Sequence, residues 1–576
     1  MALSQSGIRP LTVLDLPNEL LRNILDDFQD PVIEEGAVEW GQLGSYLNDD
    51  DRLENRRVIQ NLRLVCRAFN ELASPLLCPV LQADVNQKSL DRAVSVSNCP
   101  LVASGVRAIC VGLHCFPVEL ASNLARFMEF RLEKLQEVER THDYYHLEYI
   151  PDPEEDSDSE DDNGNEKDRG DNKGRKSDGD ENDGGGDKEW SRWVALYKKA
   201  HSEYRRIATS WENYVQQARD GGPLEANDEY QEILRTGYQE FREKHREQRQ
   251  LLESQSFVRT LASCLVRMPN TRAVGFRDHE DISEQDYGEP DLVLDQALLV
   301  RLMTIPVSWH GIERTKDLRH LTARILSELP IAIHDARVTL RELEVGIFPC
   351  VRDHNLVCPE PHSARLWAKL RTACQSLRRA GFGDGLRLGR LRYNHMNPEE
   401  SRQIDEYVAA LVSSRHLERV RIYGSAFGIS DGLSREGEYN FSVALSGVNW
   451  PHIRRVSISY VGVTQTAAET LLTGLGNGCV ESFSMGGWEL ADEEQEGGSG
   501  NGSWATAFDI LRDKLVPQVK SVYYHECYGG EFGPRQVRAD EGASDYVRSE
   551  TPSIVNEVEL YISGADMENP VRGIRA

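Results

Sequence analysis

The apolar residues of the segment LDLPNELLRNILDDF recur with the spacing of an amphipathic helix. They are Leu20, Leu21, Ile24, Leu25 and Phe28. Pro17 suits the first helical turn, and Asp30 with Pro31 ends the pattern. The segment therefore predicts one short helix with a single apolar face.

A second apolar stripe lies in LRLVCRAFNELASPLL, residues 62–77. Its members are Leu62, Val65, Cys66, Phe69, Leu72, Ala73 and Leu76. Their spacing predicts one continuous helix with a thiol near its middle. A nucleophilic cysteine needs a base or a helix N-terminus that lowers its pKa, and Val65 and Phe69 supply no base. The pattern favours a packing or docking role for Cys66.

An acidic tract divides the helical part of the chain. Residues 152–188 hold sixteen acidic and six basic residues and almost no apolar side chains. Such a segment cannot offset its ordering entropy by burial, so we predict a disordered acidic loop over residues 151–189. Apolar and aromatic residues beyond it predict two long helices, which the GGP at residues 221–223 separates into an antiparallel hairpin.

A short pattern recurs in the C-terminal half: apolar, two variable, apolar, one variable, apolar. Its copies are TRAVGF at Thr271, LRELEV at Leu340, LRRAGF at Leu377, LERVRI at Leu417, IRRVSI at Ile453, VESFSM at Val480, VKSVYY at Val519 and VNEVEL at Val555. From Leu340 onward they lie 27 to 40 residues apart, and helical patterns precede several of them. We therefore predict an α/β fold: an N-terminal helical module and a helical hairpin, followed by an irregular α/β solenoid with a parallel sheet.

Charge and composition narrow the range of functions. The 576 residues carry a formal net charge of -28, which argues against nucleic-acid binding because phosphate contacts need a dense basic face. The first residues lack a signal pattern, and no apolar run approaches the length of a membrane span. We expect a soluble protein of the cytoplasm or nucleus with no membrane partner. Its eleven scattered cysteines fit a reducing compartment.

One segment has the composition of a metal site. Cys350, His354, Cys358 and His362 fall at four-residue intervals in CVRDHNLVCPEPH, and all four are zinc-ligand types. On one helix they would spread too far along the axis to share an ion, and the two prolines favour a loop. A loop could fold around zinc, but chance spacing is the stronger alternative. No catalytic or phosphate-binding motif occurs, so we expect no cofactor and no catalytic residue.

LDLPNELLRNILDDF followed by IQNLRLVCRAFNELASPLL resembles an F-box. The matching positions are Leu16, Pro17, Leu20, Ile24, Leu25, Leu62, Val65, Cys66, Arg67, Phe69 and Leu72. An insertion of about 29 residues, 29–57, stands where the family has a short loop, and Phe69 stands where it often has Trp. The resemblance covers residues 12–80, and the chain is similar to fungal F-box proteins with degenerate leucine-rich repeats.

The resemblance implies a substrate-recognition subunit of a cullin-RING (SCF-type) ubiquitin ligase. Such a receptor docks on an SKP-type adaptor, reaches the cullin scaffold indirectly and contributes proximity rather than bond chemistry. The matching residues other than Arg67 would form the adaptor-binding surface. Residues 81–268 would be a helical connecting region, and residues 269–576 a leucine-rich-repeat-like solenoid that binds a protein substrate. The alternative is a non-catalytic interaction scaffold with no ligase role.

Strand alternation predicts which residues meet the substrate. If the apolar positions of each repeat face the core, the residue between the last two lies on the open face of the sheet. These candidates are Glu344, Arg421, Ser457, Ser484, Tyr523 and Glu559, with Tyr423, Ser459, His525 and Tyr561 two positions further on.

Overall fold

The computed structural model divides into two compact units. The residues it describes are 16–26, 33–34, 37–38, 40, 50–142, 186–220, 226–278, 291–309, 318–319, 321–349, 357, 363–383, 398–424, 439–476, 479–491, 503–516, 518–532, 552–566 and 568–573. The first unit comprises Met1–Cys115, Glu247–His279 and Val307–Ala576, and the second comprises Phe116–Arg246 and Glu280–Pro306.

The first unit begins with a small helical module. Its elements are helix α1 (Asn18–Asp26), the antiparallel pair β1 (Ile33–Glu34) and β2 (Ala37–Val38), helices α2 (Asp50–Val65) and α3 (Arg67–Ala73), and a 3₁₀ turn (Ser74–Leu76). Leu25, Ile59 and Ala73 form its buried core, with one residue from each helix. The two helical segments predicted from the sequence therefore pack on each other.

The second segment is not one continuous helix, so that prediction was wrong. Cys66 adopts an extended conformation, with φ -160° and ψ 172°, and caps α3. Phe69 and Ala73 of α3 are buried, whereas Val65 at the end of α2 is exposed. The break redirects the chain, and the spacing of the apolar residues alone did not reveal it.

The main sheet has ten strands among the described residues, and all their pairings are parallel. They are β3 (Val80–Asp84), β4 (Ala108–Gly112), β5 (Ala273–Arg277), β6 (Glu342–Val345), β7 (Arg379–Phe382), β8 (Arg419–Tyr423), β9 (Arg455–Ser459), β10 (Gly462–Thr464), β11 (Ser482–Ala491) and β12 (Ser521–Tyr528). Neighbours follow chain order, except that β9 and β10 both pair with the same edge of β11. The predicted α/β class with a parallel sheet is confirmed.

In strands such as β8 and β9, buried apolar side chains alternate with outward ones, which gives the sheet an apolar face for its helices to cover. In β8, Val420 and Ile422 are buried, while Arg419 and Arg421 are only partly covered. The backbone N–H just before a strand also donates to the carbonyl of the equivalent residue before the preceding strand, as from Lys520 to Glu481 at 2.8 Å. This contact recurs at β4 to β9, β11 and β12, so the strand–helix units repeat one geometry.

The remaining helices follow in chain order. They are α4 (Gln87–Ser97), α5 (Pro100–Ala103), α6 (Val118–Ala121), α7 (Leu124–His142), α8 (Gly186–Arg219), α9 (Glu229–Glu253), α10 (Ser256–Val266), α11 (Asp291–Leu294), α12 (Gln296–Thr304), α13 (Ile325–Asp335), α14 (Ser363–Cys374), α15 (Pro398–Leu411), α16 (Ser442–Leu445), α17 (Gln465–Thr473), α18 (Trp504–Leu515) and α19 (Pro552–Ile562). Three further 3₁₀ turns are Leu321–Arg324, Gly530–Phe532 and Pro570–Gly573. In the first unit, one continuous apolar core lies between the sheet and its helices.

The sheet begins well before the predicted boundary at residue 269. Strands β3 and β4 pair with each other, and β4 pairs with β5, so residues 81–268 are not only a helical connection. Both early strands carry the repeat pattern, as CPVLQA at Cys78 and VRAICV at Val106. Their distance from the other copies hides them, because the long segment Phe116–Arg246 of the second unit separates β4 from β5 along the chain.

The last predicted repeat strand is wrong. VNEVEL lies within α19, in which Val558, Tyr561 and Ile562 are buried at helical spacing. The Glu559 carboxylate accepts the backbone N–H of Tyr524 on β12 at 2.8 Å, and the Tyr561 hydroxyl donates to Asp509 at 2.5 Å. Glu559 thus fastens α19 to the edge strand and Tyr561 fastens it to α18, so these residues belong to a helix and not to a strand on the open face of the sheet.

The second unit pairs α7 with α8. Arg219 lies 2.7 Å from Glu129 and Gln136 donates to Glu212 at 3.3 Å, so the two helices run antiparallel. Trp211 is buried and donates to the Tyr230 carbonyl of α9 at 2.9 Å. The antiparallel hairpin is therefore formed by α7 and α8, and the acidic tract lies between these two helices in the sequence. The predicted hairpin lay entirely after the tract. Most of that tract, residues 151–185, lies outside the described residues.

Candidate functional site

Four large apolar side chains of the helical module are exposed. Leu20 is 47% exposed, Ile24 46%, Leu64 85% and Val65 62%. We call these four residues the module face. On α1, Leu21 and Leu25 face the core, which leaves Leu20 and Ile24 toward solvent. Leu64 and Val65 end α2 just before the break at Cys66.

The predicted adaptor-binding residues divide by burial. Pro17, Leu20, Ile24 and Val65 are exposed, Leu16, Leu62, Cys66 and Leu72 are half-buried, and Leu25 and Phe69 are buried. The buried pair supports the module from within. Leu64 was missed because it lies outside the predicted stripe, and it is the most exposed residue of the module face.

The module is joined directly to the sheet. Three residues, 77–79, separate its 3₁₀ turn from β3. A Cβ atom at Gly105, just after α5, would overlap the backbone of Pro75 in that turn. Such close backbone packing requires glycine at this position and ties the module to the first strand–helix unit.

The predicted substrate residues of β8 to β12 stand side by side. Arg421, Ser457, Ser484 and Tyr523 share one row of the sheet register. Tyr423, Ser459 and His525 occupy the row two positions on, with Gly486 between the last two. Tyr523 is 59% exposed. We call this outward surface of β7 to β12 the sheet face.

Aromatic residues border the sheet face. The rings of Tyr423 and Tyr460 meet edge to face, with their centroids 5.0 Å apart, and those of Tyr523 and His525 lie 6.4 Å apart. Gly487 has φ +63°, and a Cβ atom there would lie 2.6 Å from the Tyr460 ring. Glycine is therefore needed for the ring to lie against β11.

Sequence reasoning missed a second outward row. Arg379, Arg419 and Arg455 stand in register at the start of β7, β8 and β9. The repeat pattern has two variable positions between its first and second apolar residues. The arginines occupy the second of these variable positions, and strand pairing shows that it faces outward. Glu344 is buried, and its carboxylate covers Gly381 on the neighbouring strand.

Trp40, a residue of the insertion at 29–57, covers part of β5 and β6. Trp40 is only 2% exposed, and its indole N–H donates to the Glu342 carboxylate of β6 at 2.7 Å. The ring lies against Gly275 of β5, where a Cβ atom would overlap it. This residue of the insertion therefore packs on the sheet while the module face stays exposed.

Metal and thiol chemistry gain no support from the described residues. Their cysteines are free, and they contain no group of three His, Cys, Asp or Glu side chains that could hold a metal ion. Cys350, His354, Cys358 and His362 lie outside the part of the chain that the structure describes. Zinc binding by these four residues stays a prediction.

One carboxyl group in the helical layer titrates near neutral pH. Burial raises the pKa of Asp405 to about 6, although hydrogen bonds from the Tyr439 hydroxyl and the Ala444 backbone oppose the shift and Glu406 adds to it. Asp405 lies on α15 and accepts the Tyr439 hydroxyl at 2.7 Å. Its place in a structural contact of this layer argues against a catalytic role.

We expect Asp405 to make the folded state less stable as pH rises. Because the folded pKa exceeds the unfolded one, the proton stabilises the folded state fully below about pH 4, and this contribution is lost as pH rises through 6. Asp405→Asn should gain stability relative to wild type across this range, on the order of 1–2 kcal/mol since the site is partly open to water. Urea unfolding of both proteins at several pH values measures the difference, and a constant difference would contradict the expectation.

Among the helices that the structure describes, none is long and apolar enough to cross a bilayer. Comparison with known proteins finds no similar chain: no family model matches, and neither the curated proteins nor the solved structures contain a match.

Proposed function

We propose that this chain is a substrate receptor of a cullin-RING ubiquitin ligase, and that its module face docks on an SKP-type adaptor. The observation that carries the proposal is the exposure of Leu20, Ile24, Leu64 and Val65 on a helical module whose sequence resembles an F-box. The function is non-catalytic: the receptor holds its substrate near the ubiquitin-loaded enzyme.

Burial of the module face would stabilise a complex. Fully burying a leucine, isoleucine or valine side chain contributes about 1.5–3 kcal/mol, and these four side chains retain roughly half or more of their exposure. Apolar positions spaced along two short helices suit a partner whose own helices provide a groove. The buried Leu25 and Phe69 keep the two helices in place.

The sheet supports the second half of the proposal. Its strands follow chain order in parallel register and alternate with helices, which is typical of a leucine-rich-repeat-like solenoid. In this interpretation the sheet face binds the protein substrate. The close packing of Pro75 against Gly105 would hold that face in a constant position relative to the adaptor.

Reconstitution with purified partners tests the proposal. We expect the full chain to form a stoichiometric complex with an SKP-type adaptor and, through it, with a cullin, as judged by size-exclusion chromatography with light scattering. The cullin without the adaptor is the control and should not bind. Adaptor binding without recruitment of the cullin would indicate the alternative, an interaction scaffold with no ligase role. Failure to bind the adaptor would reject the receptor assignment.

A further inference from the structure

The residue just before each of β4 to β9, β11 and β12 is charged, and backbone hydrogen bonds place these residues side by side. The N–H of Arg272 donates to the Arg107 carbonyl at 3.1 Å, and that of Arg341 donates to the Arg272 carbonyl at 2.9 Å. The later members of the series are Arg378, Glu418, Arg454, Glu481 and Lys520. A series of charges therefore lines the edge of the sheet at which the strands begin.

Side chains at this position reach each other where their charges are opposite. The ion pairs are Arg378 with Glu418 at 3.2 Å, Arg454 with Glu481 at 3.7 Å and Lys520 with Glu481 at 2.8 Å. The same spacing puts three arginines next to one another just before β4, β5 and β6, with no carboxylate at that position. Opposite charges thus compensate each other from β7 to β12, while one sign prevails from β4 to β6.

Four arginines make the first half of this edge basic. Arg107, Arg337 and Arg341 are exposed, and Arg272 is half-buried. We call these four residues the basic edge. Among the described residues, their one side-chain hydrogen bond runs from Arg272 to the neighbouring Thr271 carbonyl, at 3.3 Å. The guanidinium groups of the basic edge therefore keep donors for a ligand.

The carboxylates nearest to the basic edge in the sequence are engaged elsewhere. Asp335 ends α13 and lies 3.8 Å from Lys369 of α14. Glu342 follows Arg341, but it is buried and accepts the Trp40 indole N–H. The loops that lead to β4 and β5 contain no acidic residue over 104–107 and 267–272. The basic edge is thus locally cationic in a chain whose formal net charge is -28.

The ends of the preceding helices do not explain the basic edge. A positive charge near a helix C-terminus is favourable, but the effect is confined to about the last turn. Arg272 and Arg341 each lie six residues beyond the end of the helix before them. Arg337 follows α13 more closely, but its φ of +62° is one at which glycine is usual, and its backbone N–H already bonds the His334 carbonyl at 2.9 Å. Helix stability therefore gives no reason for this set of arginines.

The spacing of the basic edge suits a run of carboxylates. Guanidinium groups bind carboxylates through paired N–H donors. Neighbouring strands lie about 4.8 Å apart, so Arg107, Arg272 and Arg341 span about 10 Å, which three or four residues of extended chain cover. We propose that the basic edge binds a run of acidic side chains in a protein partner. The inference goes beyond the proposed function and does not depend on it, because the basic edge shares no residue with the module face or the sheet face.

A protein partner is favoured over a nucleic acid. Binding to a phosphate backbone needs many basic contacts, and the basic edge offers four arginines in a chain whose net charge of -28 repels a polyanion. A short acidic segment carries few charges, so it meets less of that repulsion.

Fluorescence anisotropy with the full chain and labelled probes tests the proposal. The probes are a short peptide of consecutive glutamates, the same peptide with glutamine in place of glutamate, and an oligothymidylate. We expect the glutamate peptide to bind with a Kd below about 1 mM and less tightly at higher salt. The glutamine peptide should not bind.

Two arginines at the same position of their strand–helix units provide a matched comparison. Arg341→Gln removes a guanidinium from the basic edge and should weaken binding of the glutamate peptide about fivefold, the upper end for one exposed ion pair. Arg454→Gln changes a residue that is also exposed but lies 3.7 Å from Glu481 outside the basic edge, and it should leave the affinity within about twofold. Combining Arg107→Gln with Arg341→Gln should bring the loss to about 25-fold.

The acidic tract of the chain itself provides a further comparison. Replacing residues 152–188 by a glycine–serine linker of equal length removes sixteen acidic residues. We expect the affinity for the glutamate peptide to change by less than about threefold at physiological salt, which screens distant charges. Binding only after this replacement would show that the tract, and not a partner, occupies the basic edge.

Four results would overturn the inference. They are no binding of the glutamate peptide below about 1 mM, equal losses in Arg341→Gln and Arg454→Gln, tighter binding of the oligothymidylate than of the peptide, and binding only after the tract is replaced. A chain that binds the glutamate peptide but not the adaptor would reject the proposed function alone. One that binds the adaptor but not the peptide would reject this inference alone.

Discussion

Val65→Asp is expected to weaken adaptor binding by at least about 100-fold while the protein stays folded. An aspartate at this position would place a charge without a partner in an apolar interface, which costs far more than the loss of the valine contact. In the free chain Val65 is 62% exposed, so the same charge stays in water and the free energy of unfolding should change by less than about 0.5 kcal/mol. Isothermal titration calorimetry with the adaptor measures the affinity.

Variants elsewhere show whether the effect belongs to the module face. Ile24→Asp and Leu64→Asp should each weaken binding as strongly as Val65→Asp does. Val443→Asp places the same charge at a valine that is 67% exposed on α16, and it should bind the adaptor like wild type. Wild-type affinity in all three module variants, or an equal loss in Val443→Asp, would be incompatible with docking through these residues.

Trp40→Ala is expected to lower the free energy of unfolding of the first unit by about 3 kcal/mol. The substitution removes a buried ring from the surface of Gly275 and the indole N–H that donates to Glu342. Trp40→Phe keeps a ring but lacks that donor, so it should cost about 1–2 kcal/mol. Urea unfolding followed by circular dichroism measures both losses.

Thiol labelling localises the effect of Trp40→Ala. Cys110 of β4 is in register with Gly275 and is buried, so loss of the neighbouring ring should increase its rate of reaction with a maleimide at least about tenfold. Cys264, buried in α10, should react at an unchanged rate. An unchanged rate at Cys110, or equal increases at both cysteines, would show that Trp40 does not shield this part of the sheet.

The repeat pattern predicted individual strands better than their number. Seven strands from β5 to β12 carry a predicted copy of the pattern. In five of them apolar and polar residues alternate much as they do in Arg419–Tyr423. A periodicity of two is a local property, so it is visible directly in the sequence. The pattern failed at Val555 because the segment also carries helical spacing: Val558, Tyr561 and Ile562 recur at steps of three and four and are buried in α19. It was overlooked at Cys78 and Val106 because a long insertion separates these copies from the others.

The candidate sites were predictable to different degrees. The positions of Arg421, Ser457, Ser484 and Tyr523 on one row follow from strand alternation, which the register bears out. The neighbouring row of Arg379, Arg419 and Arg455 could not be assigned, because the direction of a residue at the start of a strand depends on where pairing begins. The packing of Trp40 on Gly275 joins residues far apart in the chain, and no local pattern indicates it.

The α/β class, the two helical segments of the module and most of the repeat strands follow from the order of the residues, because periodicity, caps and breaks act over a few residues. The break of the helix at Cys66, the exposure of Leu64 beside Val65 and the alignment of Arg379, Arg419 and Arg455 in one row are visible only in the folded chain. These features depend on packing and strand register between distant segments. Their free energies arise from contacts that form only when the chain folds.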